Sequence, residues 1–392
     1  MTYAAKKKAI IVPPSVSEAH ALVTYRVDKK IHGPEIFEEI AIGQSIGAWD
    51  ERFVEQQILQ TKVAKIVSSS EDEIFLRATI AFPHQLWHGR LAWLLTLVFG
   101  KMSFYDGVCL EKLEFESDCF ATDGLTGPKV SLEDLRIQTG AQSNRPLLMG
   151  ILKPNVAMSA DALANLYAEV GHAGVHLVKD DEIRHDENFN DILRRIEKVA
   201  TKKQKDGLKT LYVVHAPLNA QAFADLGKWS KSLESAGADA LLVNVWTAGL
   251  EALQNLREVT QIPLVAHPAL AGAFGNGSST DSISPGVAMG SLIRAAGADL
   301  SLFPSPYGKI GLPKSAAVEI ARECTKDLQA KVLPTTPVPS AGIKPEHVEL
   351  ACADFGRDFI LNAGTAIFAS GKSVADAAKE FLTRLEVFSH AQ

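Results

Sequence analysis

From about residue 147 to the end of the chain, the hydrophobic and polar positions follow one repeating pattern. Short apolar runs, typical of buried parallel strands, are separated by longer stretches whose apolar positions recur at helical spacing. The predicted strands cover residues 147–153, 175–179, 210–215, 240–245, 263–267, 299–303, 332–340 and 359–363. The predicted helices cover residues 160–171, 191–201, 221–236, 248–257, 286–296, 314–329, 346–354 and 373–388.

Three of these strands are preceded by nearly the same short sequence motif. The phrases are His172-Ala-Gly-Val175, Ser235-Ala-Gly-Ala-Asp239 and Ala295-Ala-Gly-Ala-Asp299. Each is a helix end capped by glycine that turns into the next strand, so one strand-helix unit repeats. Eight such units predict a (β/α)₈ TIM barrel, and an open doubly wound sheet is the structural alternative.

The first part of the chain has a different, mixed pattern. We expect strands at residues 21–27, 62–67, 74–80 and 110–115, and helices at residues 37–42 and 91–99. Residues 119–145 contain turn-forming glycine and proline, and we expect them to connect this part of the chain to the repeating part. The predicted organisation is an N-terminal α+β domain over residues 1–125, followed by the barrel over residues 126–392.

Composition narrows the class of protein. The 392 residues are 46% hydrophobic and 22% charged, which is typical of a soluble globular protein. We find no apolar run long enough to cross a bilayer and no convincing secretory signal, so we expect a cytoplasmic protein without a membrane partner. The net charge of −6 argues against a nucleic-acid partner. The four cysteines lack metal-site spacing and are expected to be free thiols.

Polar residues stand at the carboxyl ends of the predicted barrel strands, which is where TIM-barrel enzymes carry their active sites. The densest group is Lys179-Asp-Asp-Glu182. By itself such a group could be a surface salt-bridge cluster, but polar residues at the other strand ends favour a catalytic face. These other residues are Lys153, His215, Asn244, His267, Ser340 and Asn362.

The Lys179–Glu182 group has the composition of a magnesium site. A lysine that captures CO₂ as a carbamate becomes an anionic oxygen ligand, and with Asp181 and Glu182 it supplies three hard oxygen donors. Mg²⁺ prefers such donors, with water and substrate at its remaining positions. Because side chains alternate in an extended segment, Asp180 is expected to face away from this site.

With these residues the chain resembles the large subunit of RuBisCO, and more closely the RuBisCO-like proteins, from about residue 21 to residue 369. The resemblance makes Lys179, Asp181 and Glu182 the carbamylated lysine and the acidic metal ligands. It further implies active-site roles for other residues that match family motifs. These are the catalytic Lys153 in Gly150-Ile-Leu-Lys-Pro154, the catalytic His267, and Ser340, Gly342 and Gly364 as binding residues for substrate hydroxyls and phosphate.

Departures from the carboxylating enzymes imply a different reaction. Asn155 replaces a second lysine, and Gly43 and Leu97 stand where the N-terminal domain usually supplies a glutamate and an asparagine. The loop that closes over CO₂ is replaced by residues 303–308, although Lys309 follows and remains a candidate for substrate binding. The chain is more similar to the methionine-salvage enolases of the family in four segments, Val98-Phe-Gly-Lys101, Asn244-Val-Trp246, Ala266-His-Pro268 and Leu302-Phe-Pro-Ser-Pro-Tyr-Gly308. That similarity implies that a lysine near position 101 removes the substrate proton, and Lys101 and Lys153 are the two candidates.

The resemblance to those enolases is also incomplete. The family usually has three glycines in a row after the last strand, but here Asn362 and Ala363 replace the first two, and Gly364 is the third. His215 stands where relatives have asparagine. We therefore expect a small phosphorylated, sugar-like substrate that need not be the salvage diketone. The family further implies a homodimer with its active site at the subunit interface, where Trp49 reaches the partner's site.

The function expected from the sequence is an Mg²⁺-dependent enolisation of a phosphorylated ketose, diketone or oxo-sugar acid without CO₂ fixation. The outcome is an enolase, isomerase or decarboxylase reaction. Two other classes remain open. A lyase or aldolase could use Lys153 as a Schiff base without a metal, and a non-catalytic binding protein could retain the barrel.

Overall fold

Alternation of buried and partly exposed side chains along the first described strand gives the N-terminal sheet one core-facing side. In this computed structural model, β1 (His20–Asp28) lies in the middle of a four-stranded antiparallel sheet of order β2-β3-β1-β4. The other strands are β2 (Lys65–Glu71), β3 (Phe75–Pro83) and β4 (Val108–Phe115). The structure describes residues 19–50, 52, 53, 55, 61–120, 124–186, 188–275, 282–328 and 331–389.

Two helices accompany this sheet, α1 (Ile36–Gly43) and α2 (Leu91–Leu95). The helix predicted over residues 91–99 is α-helical only in its first part, because it continues as a π-helical turn at Thr96–Gly100. Tyr25 of β1 donates to the carbonyl of Val98 in this turn at 2.5 Å, which ties it to the sheet. The strand predicted to begin at residue 62 begins at Lys65.

Eight parallel strands form the second part, and their consecutive order confirms the predicted barrel over the doubly wound alternative. The order is β11-β10-β9-β8-β7-β6-β5-β12 without the reversal that a doubly wound sheet requires. The two end strands pack against each other and so bring the sheet round into a barrel. The strands are β5 (Leu147–Ile151), β6 (Leu177–Lys179), β7 (Leu211–His215), β8 (Ala240–Asn244), β9 (Leu264–His267), β10 (Leu300–Pro304), β11 (Thr336–Ser340) and β12 (Ile360–Ala363).

Apolar helix faces cover the outside of the barrel. Glycine in the left-handed conformation ends two of these helices, at Gly207 and Gly237. The helices are α4 (Ala160–His172), α5 (Phe189–Asp206), α6 (Ala220–Ala224), α7 (Leu226–Ala236), α8 (Val245–Ala248), α9 (Leu250–Val259), α10 (Leu292–Ala295), α11 (Lys314–Thr325), α12 (Val348–Phe355), α13 (Thr365–Phe368) and α14 (Val374–Ser389).

The connection between the two parts is more ordered than predicted. It contains the helix α3 (Leu132–Thr139), which begins with a capping box between Ser131 and Asp134. Just before this helix, the backbone N–H groups of Lys129 and Val130 donate to Asp299 at 2.7 and 2.8 Å. The domain boundary at residue 125 stays a prediction, because the last N-terminal strand ends at Phe115 and the first barrel strand begins at Leu147.

The interior of the barrel is filled with apolar side chains in its lower layers. Alternate residues of the strands point inward, and these include Leu177, Val213, Leu242, Val265 and Ile360, all buried in one cluster. The four cysteines are free and buried, as predicted. Within the described part of the chain, no helix combines the length and apolarity needed to cross a bilayer.

Candidate active site

Polar side chains replace apolar ones at the next inward position of most barrel strands. Lys179 follows Leu177, His215 follows Val213, and Asn244 follows Leu242, each two residues on along the same strand. His267, Ser340 and Asn362 stand two residues beyond Val265, Val338 and Ile360 in the same way. The predicted strand-end residues therefore form one inward layer at the carboxyl mouth of the barrel.

Lys179 is the most deeply buried member of this layer. Its side chain is 0% exposed, and its Nζ lies 3.5 Å from Oε2 of Glu182. The ammonium donates to the backbone carbonyl of Asp180 at 2.9 Å. Burial lowers the pKa of Lys179 from its ordinary value, although the negative charges of Glu182 and Asp181 oppose the shift. The site thus favours the neutral amine more than water does.

Both predicted acidic ligands lie beside Lys179. Glu182 Oε2 is 3.4 Å from Nε2 of His267, and Asp181 forms a short ion pair with Lys153 from the end of β5. Burial lowers the pKa of His267 to about 2, so this ring is neutral at physiological pH. The structure therefore brings Lys153, Lys179, Asp181, Glu182 and His267 together.

His215 and Asn244 support the segment that carries the acids. His215 Nδ1 donates to the carbonyl of Arg184 at 2.6 Å, which leaves Nε2 as the acceptor of a 3.2 Å hydrogen bond from Asn244 Nδ2. The same amide donates to the carbonyl of Glu182 at 3.0 Å. Burial lowers the pKa of His215, which keeps the ring neutral in this arrangement. His215 is a support for the site in this geometry.

The ends of β11 and β12 form a second corner of the mouth. Asn362 Nδ2 donates to Oγ of Ser340 at 2.7 Å, and among the described residues its buried Oδ1 has no hydrogen-bond partner. A Cβ added at Gly364 would lie 3.3 Å from Cε of Lys153, so this glycine allows Lys153 to approach. Gly342 has a φ of +77°, which favours glycine at this turn.

A cavity of about 410 Å³ lies beside this corner. Gly342, Lys344, Gly364 and Lys372 line it, and the two lysines are paired with Glu346 and Glu380. Loops after the last two strands of a TIM barrel are a frequent place for phosphate. Lys344 and Lys372 were missed from the sequence, because each lies in a loop without a recognisable motif.

Four predicted residues lie apart from this cluster. Trp49 and Lys101 line a separate cavity of about 450 Å³ whose lining residues all belong to positions 35–105 of the N-terminal domain. Lys309 is exposed on the loop after β10. The methyl group of Ala363 is buried in the outer core, so only its backbone can face the mouth.

The donor set fits Mg²⁺ only with a modified Lys179. In the described ranges, no group of three or more His, Cys, Asp or Glu side chains is placed to hold a metal ion. Asp181 and Glu182 supply hard oxygen donors, and a third anionic oxygen would come from a carbamate on Lys179. Because carbamate formation needs a neutral amine, the lowered pKa of Lys179 agrees with that chemistry.

Asp180 faces away from the mouth, as predicted. It is 0% exposed and accepts hydrogen bonds from Arg195 at 2.5 Å and from the Tyr212 hydroxyl at 2.8 Å. The sequence did not identify Arg184, Asp186 and Arg195 as its neighbours. The one sequence feature that could have indicated this cluster is the mixture of basic and acidic residues directly after Glu182.

Comparison with known proteins shows that the chain is similar to members of one family. Residues 136–310 match the family described as ribulose bisphosphate carboxylase large chain, catalytic domain. The chain is 35% identical to the 2,3-diketo-5-methylthiopentyl-1-phosphate enolase of Bacillus velezensis over 387 residues, which is 95% of this chain and 94% of the relative. The enolase of the same name from Geobacillus kaustophilus is 38% identical over 350 residues, covering 84% of this chain and 83% of the relative.

Solved structures give the same result. A RuBisCO-like protein (MtnW) from Alicyclobacillus acidocaldarius superimposes with a TM-score of 0.82 and 30% identity, covering 95% of this chain and 94% of that chain. The octameric RuBisCO of Pyrococcus horikoshii superimposes with a TM-score of 0.84 over 97% of this chain and 92% of that chain. At 21% identity, the second likeness concerns the fold alone.

Proposed function

The chain belongs to the RuBisCO large-chain family, as one of its RuBisCO-like enzymes, and we propose that it catalyses Mg²⁺-dependent enolisation of a phosphorylated diketone without fixing CO₂. One observation gives the main support for this proposal. The fully buried Lys179 lies within 3.5 Å of Glu182 and next to Asp181 at the barrel mouth. This arrangement suits a carbamate and a divalent cation better than a structural salt bridge.

Lys179, as its carbamate, with Asp181 and Glu182 would hold the ion. Mg²⁺ bound there supplies electrostatic stabilisation for the negative charge that develops on the substrate carbonyl oxygen. Neutral His267 lies 3.4 Å from Glu182 and can donate or accept one hydrogen bond at the same place. Lys153, paired with Asp181, adds a positive charge beside the substrate oxygen atoms.

Lys101 is the proposed base for the α-proton. Lys153 is less suited to this role, because its Nζ is already engaged by the Asp181 carboxylate. Within the described residues, Lys101 forms no ion pair, and it is exposed beside Trp49. Because this cavity has only N-terminal lining residues, we infer that Lys101 and Trp49 complete the barrel mouth of a second copy in a homodimer.

The phosphate of the substrate is assigned to the corner between β11 and β12. Ser340, Gly342, Asn362 and Gly364 lie there, and the backbone N–H of Ala363 belongs to the same turn. The relatives' name specifies 2,3-diketo-5-methylthiopentyl 1-phosphate, and we propose this compound as the first substrate to test. This corner differs from the family pattern in having Asn362 and Ala363 at the places of two glycines.

A metal-free Schiff-base lyase that uses Lys153 is the second candidate. Its support is the position of the partly exposed Lys153 at the mouth, beside Asp181. The ion pair with Asp181 disfavours this route, because an amine must be neutral to attack a carbonyl. A non-catalytic binding protein has no need for the intact lysine and acid cluster.

The test is exchange of the α-proton of the diketone phosphate with solvent deuterium, followed by proton NMR. We expect exchange that requires both Mg²⁺ and bicarbonate, stops with EDTA, and incorporates no labelled CO₂ into the product. Exchange that persists in EDTA, with covalent trapping by borohydride, would support the Schiff-base lyase instead. Absence of exchange with this substrate and with other sugar phosphates would contradict enolisation.

A further inference from the structure

Four buried charged side chains form a closed cluster directly behind the barrel mouth. Arg195 donates to Asp180 at 2.5 Å and to Asp186 at 2.7 Å, and Arg184 donates to Asp186 at 3.1 Å. Their side chains are 0% exposed for Asp180, 1% for Arg195, 8% for Asp186 and 9% for Arg184. Two positive and two negative charges cancel, which is the condition for burying such groups.

The Asp180 end of this cluster fixes the end of β6. Asp180 lies between Lys179 and Asp181, and its side chain faces outward while the side chains of both neighbours face the mouth. Besides Arg195, it accepts hydrogen bonds from the backbone N–H of His215 at 3.0 Å and from Asn155 Nδ2 at 3.3 Å. The neighbouring strand β7 and the loop after β5 are thereby joined to the residue between the two candidate ligands.

The Arg184 end fixes the segment that follows Glu182. Arg184 donates a short hydrogen bond to the carbonyl of Asn155, and its own carbonyl accepts from His215. Asn244 in turn holds the carbonyl of Glu182 at 3.0 Å. Residues 180–186 are therefore anchored on both sides of the candidate acidic ligands and at Glu182 itself.

The cluster also determines which carboxylates remain open to the mouth. Arg184 follows Glu182 closely in the sequence, yet it donates to Asp186 and to the carbonyl of Asn155. Arg195 donates to Asp180, Asp186 and the Tyr212 hydroxyl. Although burial opposes ionisation, the hydrogen bond from Arg195 lowers the pKa of Asp186. The cluster therefore keeps both arginines occupied away from the mouth.

We propose that the Asp180–Arg195–Asp186–Arg184 cluster presets Asp181 and Glu182 for a divalent cation, with Asp180 as the positioning residue. This inference rests on the proposed function, because it assigns the cation to Asp181 and Glu182. It gives the two aspartates of Lys179-Asp-Asp-Glu182 different tasks. Asp180 neutralises Arg195 and holds the strand end, and Asp181 faces the ion.

The experiment compares Mn²⁺ binding, followed by the EPR signal of free Mn²⁺ in bicarbonate buffer, for the wild-type protein and Asp180→Asn. The asparagine keeps the shape but leaves Arg195 without its main counter-charge. Since removal of a group that orients metal ligands typically costs about 10- to 100-fold in metal affinity, we expect a loss in that range. The matched control is Asp299→Asn, which breaks the buried Arg257–Asp299 pair of 2.8 Å at the opposite end of the barrel.

Asp299→Asn is expected to lower thermal stability as Asp180→Asn does while binding Mn²⁺ as the wild-type protein does. If Asp180→Asn does not fold, Tyr212→Phe serves instead, because it removes one hydrogen bond to Asp180 and is expected to weaken Mn²⁺ binding several-fold. Wild-type affinity in the folded Asp180 or Tyr212 variant, or an equal loss in Asp299→Asn, overturns this inference alone. No Mn²⁺ binding by the wild-type protein overturns the proposed function as well.

Discussion

Three lysines are assigned to the same reaction, and their surroundings give each a different task. Lys179 is fully buried and loses part of the preference for its ammonium form, as carbamate formation requires. Lys153 is 37% exposed and paired with Asp181, so it contributes a fixed positive charge. Lys101 is exposed in the N-terminal domain and forms no ion pair among the described residues, so no carboxylate in that part of the chain occupies its Nζ.

Replacement of Lys101 by methionine tests this division of tasks. A general base contributes typically 10²- to 10⁴-fold, so we expect Lys101→Met to slow deuterium exchange by at least about 10²-fold while Mg²⁺ affinity is unchanged. Lys30→Met is the matched control, since Lys30 is another exposed lysine of the N-terminal domain outside the Trp49 cavity. Exchange at the wild-type rate in Lys101→Met would assign the base elsewhere.

At the scale of elements, side chains as well as backbone groups join adjacent barrel strands at the end opposite the mouth. The β5 and β6 segments are joined at their amino ends by His176, whose backbone N–H donates to the carbonyl of Leu148 at 3.2 Å. The backbone N–H of Leu148 donates in return to Nδ1 of His176 at 3.0 Å. Because Nδ1 is the acceptor, this join requires a neutral ring.

The hydrogen bond to the neutral ring of His176 predicts that the protein loses folding stability in acid. Burial lowers the pKa of His176 from 6.5 to about 4, so the folded state disfavours the proton that the unfolded chain binds. The stabilisation is complete above pH 6.5 and is lost as the pH falls toward 4, by about 2 kcal/mol between pH 7.5 and pH 5. His176→Asn offers a non-titrating acceptor, and urea unfolding at both pH values should show a smaller loss of stability in the variant. An equal loss in both proteins would contradict this role.

The loop after β10 is held in place by hydrogen bonds and by close packing. The backbone N–H of Ser305 donates to the carbonyl of Ser340 at 2.8 Å, and the Tyr307 hydroxyl donates to Asp354 at 2.6 Å. A Cβ at Gly308 would lie 1.8 Å from the carbonyl oxygen of Ala341. This loop is therefore packed against the loop after β11, beside the proposed phosphate corner.

Gly308→Ala tests that packing. We expect the added methyl group to force the two loops apart, to lower stability by about 1–3 kcal/mol, and to raise the KM for the phosphorylated substrate. Gly272→Ala is the control, because among the described residues a Cβ at Gly272 meets no atom within 4 Å. Urea unfolding and steady-state kinetics of both variants give the comparison. Equal behaviour of the two variants would contradict the close packing at Gly308.

The sequence predicted the barrel strands to within a few residues, because each is a short apolar run bounded by a glycine turn and a polar end. It also placed Lys153, Lys179 and His267 at one mouth, since parallel strands end on the same side. It did not predict the π-helical turn at Thr96–Gly100, whose backbone pattern leaves no mark in hydrophobic spacing. Nor did it predict the pairing of Asp180 with Arg195, because that contact depends on how α5 packs against β6 and β7.

At the scale of the whole molecule, the proposed reaction divides its residues between two places. The cluster around Lys179 lies at the barrel mouth, and Lys101 lines a cavity made of N-terminal residues, with Phe104 nearby 87% exposed. In the proposed homodimer, a second copy covers this exposed side chain. A symmetric dimer would bring each N-terminal domain to the barrel of the other copy.

Hybrid dimers test this arrangement. Lys101→Met and Lys179→Ala are each expected to be inactive as homodimers. A hybrid purified through two different affinity tags has one site with both changes and one site with neither, so we expect about half of the wild-type activity per dimer. Analytical ultracentrifugation checks that the hybrid is a dimer. An inactive hybrid would place Lys101 and Lys179 of one site in the same chain and would contradict the shared site.

The central claim is that Lys179 enables metal-dependent enolisation at the barrel mouth. Its most direct test is the rate of α-proton exchange in Lys179→Ala with saturating Mg²⁺ and bicarbonate, for protein whose circular dichroism matches that of the wild type. We expect exchange and Mg²⁺ binding to be abolished while the fold is retained. Full exchange activity in folded Lys179→Ala would contradict it.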